Sequence, residues 1–332
     1  MNLLILICGI ILLVLALVES LWTTLWVDGN SGPLTSRLTT WTWKLFKAIF
    51  GLKRHRLLSL AGPTILFLSI LMWILLLWLG WSMMLYSDSS SLIDVRRYDG
   101  VTFLECIWFT AYTLFTVGNG DFTPTPGIWQ IACSLAALTG LVIVTLSVTY
   151  ILQVLAAISN KRSFASQVTS LGNSAEEWVI SQWNSKDFGR IELQLNSING
   201  QLARLTEQHL AFPILHYYHS KNADRASTVA TGILDDALSI LAFGVEEKYR
   251  PDHAAILTSR RSVQNFLKTL RSAFISPAGE SPSLPDLARL RDAGIPVVPE
   301  EDFYKSMKQL EERRKITLGM IWNDAWQWPP VK

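Results

Sequence analysis

Six consecutive residues, Thr116-Val117-Gly118-Asn119-Gly120-Asp121, carry the strongest chemical signal in the chain. Gly118 and Gly120 free the backbone for positive φ angles closed to most residues. Such a segment can aim the carbonyl oxygens of Thr116, Val117, Gly118 and Asn119, with the Thr116 hydroxyl, at one place. There they would replace the hydration shell of a dehydrating cation. Directly before it, Val101–Leu114 is apolar and aromatic, with Trp108, Phe109 and Tyr112. A short helix running into an extended, glycine-punctuated strand reads as a re-entrant loop. Irregular backbone at membrane depth is tolerated only where it is buried in protein or lines a water-filled path.

Other reactive residues are weaker signals. His209, His216 and His219 fall near one helical face, and His216-x-x-His219 has zinc-ligand spacing. Pro213 interrupts the helix between the first two, and no cysteine completes a set. Packed among Phe212, Leu215, Tyr217 and Tyr218, these histidines read as structural, with metal binding or pH sensing as alternatives. Cys8, Cys106 and Cys133 lie in apolar stretches without metal-ligand spacing. Asp235-Asp236 and Glu246-Glu247 read as solvated helix faces. No nucleophile–base–orienter set is visible, so the expectation is a protein that is not an enzyme and has no cofactor.

The elements that must position the hexapeptide follow from charge distribution. Of the 56 charged residues, 15 precede Asn160 and 41 follow it, so the two halves differ in kind. Nine of the 14 tryptophans lie at or before Trp129, as expected near a membrane–water interface. Three stretches can cross a bilayer as helices, which takes about 20 apolar residues. They are 1–27, interrupted by Glu19; 57–87; and 122–160, with an apolar core at 127–158 that would span about 48 Å. Met1–Asn2 supplies no positive charge and residues 19–22 make a poor cleavage site, so the first span reads as retained rather than as a signal peptide.

Between the first two spans lie Arg37, Lys44, Lys47, Lys53, Arg54 and Arg56, opposed by Asp28. Lys and Arg mark the cytoplasmic side. That places the 28–59 linker and the C-terminal half inside and segment 87–126 outside, in a multi-pass protein of the cell membrane. Leu38, Trp41, Leu45, Ala48 and Ile49 recur at helical spacing, predicting an amphipathic helix against membrane lipid, or else an extension of the second span. From Lys161 onward the pattern is helical. Ser174-x-x-Glu177 reads as a capping box opening a helix with Trp178 and Trp183. Further helices are expected around 191–205, 226–243, 254–274, 287–292 and 302–326, with a Pro/Ser linker at 276–285.

The hexapeptide resembles the potassium-channel signature T-V-G-Y-G-D of the two-transmembrane, pore-loop type, with Asn119 in the tyrosine position. Trp108-Phe109 stands where that family has pore-helix aromatics. Pro124 follows Asp121 as in many members, and Gly140 stands where the inner helix carries its hinge glycine. The similarity covers roughly residues 57–160. It implies an all-α membrane protein and a homotetrameric pore. Thr116, Val117, Gly118, Asn119 and Gly120 would be ion-binding, supported by Asp121, Trp108, Phe109 and Tyr112. Gly140 would be a hinge, or a small residue for close helix packing.

The resulting organisation is an extra N-terminal transmembrane helix at 1–27, a linker at 28–56, a pore domain at 57–160 and an α-helical cytoplasmic domain at 161–332. The resemblance implies potassium as the permeant ion. Asparagine in the tyrosine position keeps a non-selective sodium/potassium pore as the alternative. A non-conducting membrane-anchored sensor or scaffold is the rival from another class. No G-x-G-x-x-G motif or nucleic-acid signature is present, so partners beyond membrane lipid and other copies reduce to an unidentified cytoplasmic ligand or regulator.

Overall fold

The computed structural model describes residues 1–97, 101–273 and 275–330. Phe274, the expected end of one helix, lies outside them. The protein is an all-α membrane protein whose chain forms two compact units. The first comprises Met1–Trp26, Asn30–Trp41 and Thr64–Gln153. The second comprises Val27–Gly29, Thr42–Pro63 and Val154–Lys332. The linker, one stretch in the sequence, is thus divided between them.

In the first unit, α1 (Leu3–Leu25) runs through Glu19 without a break. It lies against α4 (Ala61–Tyr86) at two glycines: a Cβ on Gly9 would stand 2.9 Å from the Gly80 carbonyl oxygen. Small residues let helices approach this closely where lipid supplies no hydrophobic drive. Glu19 is fully buried. It reaches the first turn of α2 (Pro33–Phe50), accepting from the backbone N–H of Leu34 (2.7 Å) and Thr35 (3.0 Å) and from the Thr35 hydroxyl (2.9 Å). The carboxylate therefore satisfies orphan N–H groups at a helix start. Trp73 of α4 donates to the same Thr35 hydroxyl.

The reading of 122–160 as one span is corrected at its start. Leu92–Asp94 (β1) pairs antiparallel with Phe122–Pro124 (β2), and α6 begins only at Ile128. Pro124 and Pro126 explain the delay, since the residue before a proline is pushed out of helical conformation. Past the apolar core, α6 continues without a break to Thr169.

The core of the second unit gathers α7 (Ala175–Ser181), α8 (Ile191–Ala211), α9 (Ser227–Ser239) and α10 (His253–Ala273) with Phe164, Ala165 and Val168 from the end of α6. The short α3 (His55–Leu58), α11 (Leu287–Asp292), α12 (Glu300–Gln309) and α13 (Glu311–Asn323) complete it. Segment 302–326, expected as one helix, breaks at Leu310. Trp183 lies beyond the end of α7, and Ser174 caps that helix by accepting from the Glu177 N–H at 3.2 Å. The Ser227–Gly244 stretch is long and apolar enough to cross a membrane, but 89% of its window is buried inside the unit. It is a core helix.

Asp235 and Asp236 on α9 are a second correction, being buried rather than solvated. Arg313 grips Asp235 (2.6 Å) and Arg314 grips Asp236 (2.8 Å). Glu246 and Glu247 are exposed as expected. A polar chain also crosses the unit. Asp324 can only accept, so His219 Nδ1–H donates to it (3.1 Å) and leaves Nε2 to accept from His55 (3.0 Å). Trp326 stacks on the His55 ring at 4.0 Å.

Burial lowers His209 to about 3 and His216 to about 4, while burial raises Asp236 to about 6 against the pull of Arg314. The unfolded chain takes protons on both histidines below about pH 6.5, which the fold refuses. Stability present at neutral pH is therefore lost as pH falls from 6.5 toward 4. Asp236 acts oppositely, taking its proton in the folded state between about 6 and 4. Two protons against one leave a net loss of about 1.4 kcal/mol per pH unit. The thermal unfolding midpoint of the purified chain should fall between pH 7 and pH 5, and His209→Gln should flatten that slope.

Candidate functional site

The pore-helix expectation is realised as α5 (Phe103–Leu114). Its start is fixed by a capping box: Glu105 accepts from the Thr102 N–H (2.7 Å), and Thr102 accepts from the Glu105 N–H (3.4 Å). Arg97 clamps this end by pairing with both Asp94 (2.8 Å) and Glu105. Trp78 of α4 donates to the Ile107 carbonyl (2.9 Å), and Trp81 donates to Thr139 on α6 (3.0 Å). Two tryptophans of one helix thus tie it to both neighbours. The two tryptophan ties were invisible in the sequence because they join residues 29 and 58 positions apart.

At its other end α5 runs into the hexapeptide. The Thr116 N–H bonds the Thr113 carbonyl (3.1 Å) and the Val117 N–H bonds the Tyr112 carbonyl (2.8 Å). Beyond that turn the backbone alternates. Thr116, Gly118 and Gly120 have φ of 56°, 63° and 81°, whereas Val117 and Asn119 do not have positive φ. A Cβ added at Gly118 or Gly120 would meet nothing within 4 Å, so conformation rather than space calls for glycine. Residues 115–120 are all exposed in the single chain.

Behind the strand, Trp108 Nε1–H donates to Asp121 Oδ2 (2.9 Å). The Tyr112 ring is buried and packs edge-on against Trp108 (5.9 Å) and Phe109 (5.2 Å). Trp108, Phe109 and Tyr112 thus form one aromatic group on α5, joined to Asp121 through Trp108.

Gly140 sits on unbroken helix. A Cβ there would stand 2.3 Å from the Leu114 carbonyl oxygen, so the demand for glycine is close approach to the end of α5. The weak metal pair behaves differently. His216 Nε2 bonds Asn323 (2.7 Å), and His219 is taken up by Asp324 and His55. Among the described residues no three His, Cys, Asp or Glu side chains are grouped to hold a metal ion.

Residues 71–157, which contain α5, the hexapeptide and Gly140, match a family described as Ion channel. The chain is also 40% identical over 323 residues to the uncharacterized membrane protein YdjJ of Bacillus subtilis (strain 168), covering 97% of this chain and 94% of that protein. The chain belongs to the family of that membrane protein, and within it residues 71–157 carry the similarity to the ion-channel family. No solved structure matches. The hexapeptide, its tryptophan clamp and the Gly140 seat all fall within the segment that matches the ion-channel family.

Gly140→Ala would drive a methyl group into backbone, which cannot rotate away. The expected cost is about 1–3 kcal/mol or more, read as a lowered unfolding midpoint. Gly200, on α8 with nothing within 4 Å of an added Cβ, is the control. Gly200→Ala should stabilise by about 0.4–1 kcal/mol.

Proposed function

We propose that this protein is one subunit of a homotetrameric channel that passes monovalent cations, potassium before sodium, down their gradient. The observation that carries the reading is the alternation of positive φ at Thr116, Gly118 and Gly120 in an exposed strand directly after a short helix. A β-strand sends successive carbonyls to opposite sides. Alternating the sign of φ lets them share one side, and a row of carbonyls can coordinate a cation stripped of water. One chain supplies one such row. Enclosing an ion takes several, and four copies around an axis would bring together the strands that each subunit leaves exposed.

The rest of the pore follows from helix physics. The C-terminal end of α5 carries partial negative charge and favours a cation beyond it. Below it, α6 presents exposed Leu135, Leu138, Leu141, Val142 and Val148, the face that would line the axis or meet neighbouring copies. The same helix continues to Lys161, whose buried ammonium donates to the carbonyls of Leu215 and Tyr218 (both 3.0 Å). Six Lys and Arg residues in the 28–59 linker support a cytoplasmic position for it and for the C-terminal half.

The second reading is a non-selective cation pore of the same build, and Asn119 is the residue that favours it. An asparagine cannot brace the strand through an aromatic ring, and selectivity depends on the number and stiffness of the coordinating carbonyls. The test is the reversal potential of the purified protein in a planar bilayer with potassium on one side and sodium on the other. A potential far from zero toward potassium is the expected outcome. Robust current reversing near zero would establish the non-selective reading, and Asn119→Tyr should then restore preference for potassium. No current in any condition would leave a membrane-anchored sensor as the surviving function.

A further inference from the structure

A concavity of about 470 Å³ in the second unit is lined by Phe243, Arg250, His253, Ile256, Leu257 and Arg260. Small-ligand sites run from about 300 to 1,000 Å³, mostly apolar with a few convergent polar groups. Its wall is built on an irregularity: where α9 ends, Ile240–Gly244 winds as a π-helical turn, the segment that contributes Phe243. Such turns are rare and are frequently found at functional sites.

The charge balance of this pocket is unusual for a structural feature. Arg260 is half-buried and lies over the Phe243 ring at 5.3 Å, with Nη1 donating to the Ser239 hydroxyl (3.0 Å). Arg250, also half-buried, donates from Nε to the Val245 carbonyl (2.8 Å). Each bond orients a guanidinium and leaves the rest of its fork uncommitted. Glu247 is the acid in the lining, yet among the described residues neither arginine has a carboxylate within 4 Å. Asp235, the acid whose field reaches Arg260, is already gripped by Arg313. Burial disfavours the charged form of Arg260. Half-desolvated cations without counter-ions are costly, and an arriving anion would repay that cost.

Two forks and an imidazole exceed what a single carboxylate needs, and they suit the several oxygens of a phosphate. Phe243, Ile256 and Leu257 offer an apolar surface beside them. We propose that this pocket binds an organic phosphate monoester, its phosphate held by Arg250, Arg260 and His253 and its apolar or ring-bearing body laid against Phe243, Ile256 and Leu257.

The test uses full-length protein in detergent, where binding is read without ion flux, so its outcome is independent of the channel reading. Phenyl phosphate, 5′-AMP and inorganic phosphate are titrated at constant ionic strength by calorimetry and thermal unfolding. At least one organic phosphate should bind ten-fold or more tighter than inorganic phosphate. At ten times its Kd it should raise the unfolding midpoint by about 3–6 °C. Arg250→Gln should weaken that binding at least ten-fold. Leu257, 37% exposed at the rim, gives a variant that leaves the core intact. Leu257→Glu places a carboxylate in the pocket and should abolish binding while the unliganded midpoint stays unchanged. Binding of neither organic phosphate, equal affinity for inorganic phosphate, or affinity that survives Arg250→Gln and Leu257→Glu would each overturn the proposal.

Discussion

The first unit is organised by a backbone contact, the seat of Gly140 on the carbonyl of Leu114. Any side chain at 140 would overlap that carbonyl, so α6 approaches the end of α5 as closely as two backbones allow. The neighbouring Thr139 receives the Trp81 hydrogen bond, which brings α4 to the same level. Leu13 and Ala16 of α1 share an apolar cluster with Leu77, Trp81, Leu114 and Ile143. Four helices therefore meet where α5 ends, and the position at which Thr116 emerges is set by all of them. A re-entrant strand has little structure of its own to hold it, which is why its foundation must be rigid.

A second feature concerns the polar groups: the buried carboxylates Glu19, Asp235 and Asp236 are each met by partners that offset part of their desolvation. Removing a carboxylate from water costs several kcal/mol even after relaxation. Glu19 offsets that with two backbone N–H groups and a hydroxyl, each charge-assisted bond contributing about 1.5–3 kcal/mol. Asp235 and Asp236 do so with the paired forks of Arg313 and Arg314, the latter also donating to the Pro282 and Ser283 carbonyls. That ties the proline-rich segment, which in the sequence reads as a loose linker, onto the domain core.

Signals confined to one stretch of chain were legible in the sequence. The hexapeptide, the aromatic helix before it and the three apolar runs declare themselves through local composition, and Gly140 stands out by counting from the filter. The signals that failed were those whose partner lies far away. Glu19 looked like an interruption of a span because its helix-capping role depends on residues 15 and 16 positions later. Asp235-Asp236 looked solvated because the arginines that bury them lie 78 residues on. His219, read as structural with metal binding as an alternative, is held by His55 and Asp324, partners 164 and 105 residues distant that the sequence could not name. The early strand at 122–124 was hidden because 122–160 carries no charge and so reads as one stretch, although Pro124 and Pro126 mark the break locally.

Asn119 is where local and long-range reasoning meet. With a tyrosine in that position, a ring could wedge the strand from behind, so stiffness would come from packing. With asparagine the strand must be held by hydrogen bonds instead, and three are in place: Val117 to Tyr112, Thr116 to Thr113 and, at the outer end, Trp108 to Asp121. A strand fixed at both ends by hydrogen bonds needs no ring behind it, and the positive φ of Thr116, Gly118 and Gly120 sets its course between them. In the proposed pore, the carbonyls of Thr116 and Val117 would then owe their positions to the end of α5, which Gly140 and Trp78 hold in turn.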